Sequence, residues 1–199
     1  MASFDKHSNY NDKSSFSSVV FGADAPVLEV ELNEVQQIIE SKFSNLIKAL
    51  LGGACLAPLS DESFIYNASD KRIDIRECVA FTNRGKILYV DKGSITMSAS
   101  NPYLYLVVTE STKSYSDTLK QYGNETSSTT VPNTMMDSRV SAETSRRKVL
   151  TYSFLASNKT LIDTENTEYV SIGVYDSANN TMYRKRGNIE ELLLRTEDL

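Results

Sequence analysis

Eight large apolar residues between Val35 and Leu51 recur at helical spacing, and this stripe restricts the possible folds more than any other feature. Val35, Ile38, Ile39, Phe43, Leu46, Ile47, Leu50 and Leu51 follow the i, i+3, i+4 rule of an amphipathic helix. Gln37, Glu40, Ser41, Ser44, Asn45 and Lys48 fall on the other side and read as its solvent face. Asn33 is positioned as the N-cap, with Gln36 three residues on to reach back, and Gly52-Gly53 supplies the stop. Ahead of it, Val19–Leu32 reads as extended chain. Burying eight such side chains gains about 12–24 kcal/mol gross. Fixing each backbone residue costs about 1–2 kcal/mol, a comparable sum over this length. The stripe therefore needs a surface, either its own sheet or copies of itself.

Downstream the period changes from 3.6 to 2. Lys71–Phe81 alternates with Ile73, Ile75, Val79 and Phe81 on one face, interrupted by Glu77. Thr82–Gly85 reads as a turn, Lys86–Val90 as a strand, Asp91-Lys92-Gly93 as a second turn, and Ser94–Ser98 as a further strand. Tyr103–Thr109 is almost continuously apolar, as a strand buried on both faces would be. Strands return at Lys148–Ala156, Glu168–Tyr175 and Thr181–Arg184. A short helix is expected over Asn188–Arg195, capped by Asn188 with Glu191 at its third position.

These patterns predict an α+β fold: one long N-terminal amphipathic helix, a mainly antiparallel β module and a short C-terminal helix. The divisions are an extended arm over 1–24, a helix segment over 25–60, a β-rich module over 61–185 and a C-terminal helix over 186–199. The arm is Ser-, Asn- and Lys-rich. Within the module, fourteen of the thirty-five residues from 112 to 146 are Ser or Thr, which marks 111–146 as a long loop of the kind partners order.

Composition narrows the chemistry. A net charge of −5 argues against nucleic acid as the partner, because phosphate binding requires a concentrated basic surface. The densest basic run, Arg184-Lys185-Arg186, reads as a solvated strand end. No apolar window is long enough to cross a bilayer, and the first eighteen residues lack the apolar core of a signal peptide, so cytoplasmic synthesis without membrane insertion is expected. Cys55 and Cys78 read as small buried hydrophobes. The one histidine, His7, lies in the polar arm, which leaves no Ser-His or Cys-His dyad and no multi-histidine metal site. Carboxylate pairs such as Asp61-Glu62, Asp70 with Asp74, and Glu165 with Glu168 sit beside turns, where solvation is the default. Phosphate-binding glycine loops and EF-hand spacings are missing. Neither a catalytic, a cofactor nor a metal site is expected, although a carboxylate-dependent glycan hydrolase stays open as a third reading. The eleven tyrosines leave a second, a β module that stacks on host-surface glycans.

The stretch Phe21–Gln37, with VLEVELNEVQ in its core, resembles the opening of a family of phage baseplate and tail-fibre-attachment proteins. The matching positions are Phe21, Gly22, Leu28, Glu31, Leu32, Asn33, Glu34 and Gln37. The resemblance implies a structural component of the virion tail baseplate, made in the host cytoplasm, that connects the tail to fibres or receptor-binding proteins. It also implies partners: copies of the chain itself, as a trimer or otherwise, and other baseplate or fibre proteins. The chain ends at Leu199 without a fibre shaft or tip, which favours a connector. The expected assembly interface is Leu28, Leu32, Val35, Ile39, Phe43, Leu46 and Leu50.

Overall fold

The computed structural model describes residues 18–20, 28–113, 118–120, 128–130, 136–137, 142–143 and 147–191. Most of the N-terminal arm, His7, most of the Ser/Thr-rich segment and the last eight residues lie outside them. An N-terminal helix, two antiparallel sheets and a C-terminal helical turn make the fold α+β.

The helix α1 spans Glu29–Leu51 and starts earlier than expected. Leu28, not Asn33, is its N-cap, and the backbone N–H of Leu28 donates to the Glu31 carboxylate at 2.9 Å. The alternation Val-Leu-Glu-Val-Glu-Leu suits a strand, but Glu and Leu are strong helix formers. Glu29 and Glu31 also place negative charge in the first turn, where the helix dipole favours it. Gly52 closes the helix in the left-handed region at φ 73°.

The first sheet holds β1 (Cys55–Pro58), β2 (Phe64–Asn67), β3 (Arg72–Phe81) and β4 (Ile87–Thr96). β4 lies along one edge of β3; β1 and β2 lie end to end along the other, separated by a 3-10 turn at Asp61–Ser63. Residues 55–58 are thus strand, not an extension of the helix segment. Glu77 interrupts β3 with φ 43°, which is a strained conformation for a residue with a Cβ. The inward set changes phase there, from Ile73 and Ile75 to Cys78 and Ala80. Val79 and Phe81, expected on the same face as Ile73, are only partly buried.

β4 is one continuous strand through Asp91-Lys92-Gly93, and the expected second turn is absent. It follows the same change of phase, with Leu88 and Val90 inward before it and Ile95 after it. Gly93 is there for packing. A Cβ at this position would lie 1.9 Å from the Phe154 ring.

The second sheet has the order β10 (Arg147–Ser157), β5 (Tyr103–Lys113), β11 (Thr167–Asp176) and β12 (Thr181–Arg184). β5 runs between β10 and β11. Leu104, Tyr105 and Leu106 are buried in succession, so both of its faces are covered there. Tyr105 meets the edge of Tyr169 on the outer face and accepts a hydrogen bond from the Leu161 N–H. The Ser/Thr-rich segment includes four short strands: β6 (Thr118–Lys120) pairs with β7 (Ser128–Thr130), and β8 (Met136–Asp137) with β9 (Ala142–Glu143). Inward residues of both sheets, among them Ile75, Val90, Leu106 and Ile172, form one core.

The C-terminal helical turn covers 188–191. Gly187, not Asn188, precedes it, and its carbonyl accepts from the Glu191 N–H at 3.1 Å. The Asn188 side chain instead lies over Gly52, where any Cβ would meet it at 2.7 Å. Arg184 is no solvated strand end: its guanidinium stacks 4.3 Å from the Phe64 ring centroid and pairs with Glu190.

Candidate assembly surface

The turn between β3 and β4 determines how α1 sits. Thr82 is fully buried and ties the turn to itself: its N–H donates to the Lys86 carbonyl and its hydroxyl accepts from the Lys86 N–H. Asn83 then serves three elements at once. Its carbonyl accepts from Ser44 Oγ of α1 at 2.7 Å, its side-chain oxygen accepts from the Ala54 N–H ahead of β1, and its side-chain amide donates to Asp163. Gly85, at φ 83°, brings the turn against the helix backbone; a Cβ there would come within 2.6 Å of the Glu40 carbonyl oxygen and 2.7 Å of the Ser44 nitrogen.

This seat uses the side of α1 that carries small and polar residues. Val30, Asn33, Gln37 and Ser41 are partly buried, and Ser44 is buried. Of the expected stripe, Ile38 and Ile47 are buried at 4 % exposure and Leu51 is partly covered beside Gly187. The expected assembly residues are on the other side. Leu28, Leu32, Ile39, Phe43, Leu46 and Leu50 are each 44–57 % exposed, and Val35 is half-buried between them. The polar side was expected in water and the apolar side in contact. The structure divides both sides: Gln37, Ser41 and Ser44 turn inward together with Ile38 and Ile47, while Glu40, Asn45 and Lys48 stay exposed, because close approach to a backbone turn requires small residues and hydrogen-bonding groups that large aliphatic side chains cannot supply.

The outward residues are evenly placed. Leu28, Ile39 and Leu50 are eleven apart, as are Leu32 with Phe43 and Val35 with Leu46. Eleven residues make about three helical turns, so the row stays on one face along the whole helix. Its 23 residues give a row about 34 Å long.

Two other places were candidates for chemistry. Under the same turn, Lys86 reaches Glu110 at 3.1 Å and Glu168 at 3.3 Å, Lys148 pairs with Glu110, and the Arg84 N–H donates to Glu168 at 3.0 Å. Glu168, expected in a solvated turn, is 2 % exposed. Burial alone would raise the Glu110 carboxyl, but hydrogen bonds and charge from Lys148 and Lys86 hold it below its usual value. Such a carboxylate is a fixed counter-ion and a poor proton donor at neutral pH. The group joins Lys86, just ahead of β4, to β5, β10 and β11, and no local pattern marks it because its members are far apart in the chain.

The second place is a cleft of about 390 Å³ beside Glu77, lined by Ser60, Glu62, Arg76, Glu77, Asp91 and Lys92. Its charges are of both signs and mostly exposed, so no carboxyl is held in apolar surroundings as general-acid chemistry requires. Among the described residues, no group of His, Cys, Asp and Glu is placed to hold a metal ion. Cys55 and Cys78 are buried free thiols; burial raises both, that of Cys78 to about 11, which makes them poor nucleophiles. Among the described tyrosines only Tyr183 is well exposed, so they form no stacking platform. No helix of the described residues is long and apolar enough to cross a membrane.

Comparison with protein-family models, with curated proteins and with solved structures finds no match for the chain.

Proposed function

We propose that the chain is a structural assembly component, a baseplate subunit of a phage-type tail that joins fibres or receptor-binding proteins to the tail, and that α1 carries one of its assembly contacts. The observation that carries this reading is the outward row from Leu28 to Leu50, an apolar surface running the length of a helix whose opposite side is already seated. Contiguous apolar surface of this kind marks a binding site more often than a bare exterior. The resemblance of Phe21–Gln37 to baseplate and fibre-attachment proteins supplies the particle, and it overlaps the first part of the row.

The reading is tested by quantitative mass spectrometry of tail particles purified from the source that encodes the chain. It expects the chain at a fixed stoichiometry to other tail proteins, and loss of the chain from particles when Phe43 and Leu46 are both changed to Asp. A chain abundant in the producing cells but absent from the particles would overturn it.

A further inference from the structure

The row on α1 has a symmetry that a docking surface for an unrelated helix would not need. Its steps, Leu28 to Leu32, Val35, Ile39, Phe43, Leu46 and Leu50, are 4, 3, 4, 4, 3 and 4 residues. The series reads the same in either direction about Ile39. Turned end for end, the row meets a copy of itself in register: Leu28 opposite Leu50, Leu32 opposite Leu46, Val35 opposite Phe43, and Ile39 opposite Ile39. That is the self-complementarity a two-fold interface demands.

Charge selects the same direction. Beside the row, Glu29 and Glu31 lie in the first half of α1 and Lys42 lies in the second, while Glu40 and Lys48 are on the far side and take no part in the contact. Side by side in the same direction, two copies would set acidic half against acidic half. Head to tail, each acidic half lies along a basic one and the helix dipoles oppose favourably.

We infer that α1 pairs with α1 of a second copy of this chain, antiparallel, with the two-fold axis at Ile39. The inference rests on the assembly role proposed for the row and names its partner. A face about 34 Å long and about 10 Å wide on each copy removes on the order of 700 Å² in total from water. Stable interfaces bury about 1,200 Å² or more, so the pair forms in a concentration-dependent way.

The full chain is tested by sedimentation velocity between about 1 µM and 1 mM and by directed cross-linking. Monomer at low concentration and dimer at high concentration are expected, with Ile39→Asp monomeric throughout and its far-ultraviolet circular dichroism unchanged. Under mild oxidation, Ile39→Cys is expected to form a covalent dimer. Leu28→Cys chains mixed with Leu50→Cys chains are expected to cross-link to each other at least tenfold faster than either does with itself. A species that is monomeric at 1 mM, a trimer, or self-linking of Leu28→Cys ahead of the mixed pair would overturn the inference. If any of these is found while the chain is still stoichiometric in tail particles, the assembly role stands and the partner is another protein.

Discussion

Ser44 of α1 donates a 2.7 Å hydrogen bond from its hydroxyl to the carbonyl oxygen of Asn83, in the turn that joins β3 to β4. The bond fixes the rotation of the helix about its own axis. With Ser44 turned in, Ile39, Leu46 and Leu50, three of the residues expected at an assembly interface, are turned out.

The same seat depends on Gly85. An alanine there would need a positive φ and would press its Cβ on the Glu40 carbonyl and the Ser44 nitrogen. A left-handed residue with a Cβ costs about 1–2 kcal/mol, and overpacking adds about 1–3 kcal/mol. Gly85→Ala is expected to lower stability by about 2–5 kcal/mol in urea titration.

The charge group below the turn gives a pH dependence. The Glu110 carboxyl lies lower in the folded chain than in the unfolded one. Its contribution is then complete above the unfolded value, near 4.5, and is lost as pH falls through the lower folded one. Urea midpoints measured from pH 7 down to pH 3 are expected to fall on the acid side, and Glu110→Gln is expected to flatten that fall. Lys86→Ala leaves Glu168 buried without its cation and is expected to cost about 3–5 kcal/mol at pH 7.

Phe154 on β10 packs across β4 at Gly93, where even a methyl group would overlap the ring. Gly93→Ala is expected to destabilise the sandwich by about 1–3 kcal/mol. Combining it with Phe154→Leu is expected to cost less than the sum of the two single changes, since the smaller side chain makes room. Thermal melting of the four proteins checks this.

Much of the scaffold was legible because alternation is local: Ile73 with Ile75 and Val170 with Ile172 identify their strands and inward faces without reference to the rest of the chain. Three errors share one cause. Asp91-Lys92-Gly93 has turn composition, yet Gly93 is required by a ring sixty-one residues away in sequence. Glu77 interrupts the alternation of β3 visibly, but the positive φ that changes the inward phase there is a backbone conformation that the interruption does not specify. Glu168 looks like a surface acid until Lys86 and the Arg84 N–H are brought to it by the fold. The exposed apolar row was readable from helical spacing between Val35 and Leu50, whereas Leu28 and Leu32 fell in a stretch read as extended chain. The orientation of the row was not readable, because amphipathicity gives the two sides of a helix and leaves open which side its own domain takes.

Leu46 and Ile47 are neighbours in sequence on opposite sides of that question: Leu46 is half exposed and Ile47 is buried. Equilibrium urea unfolding of Leu46→Asp and Ile47→Asp, at a concentration low enough to keep the chain monomeric, decides it most directly. The expected result is a change within about 0.5 kcal/mol for Leu46→Asp, against a loss of about 3 kcal/mol or more for Ile47→Asp, which buries an unpaired charge. Equal losses, or a larger loss at Leu46, would show that the apolar row faces the chain's own domain and would contradict the assembly surface proposed for α1.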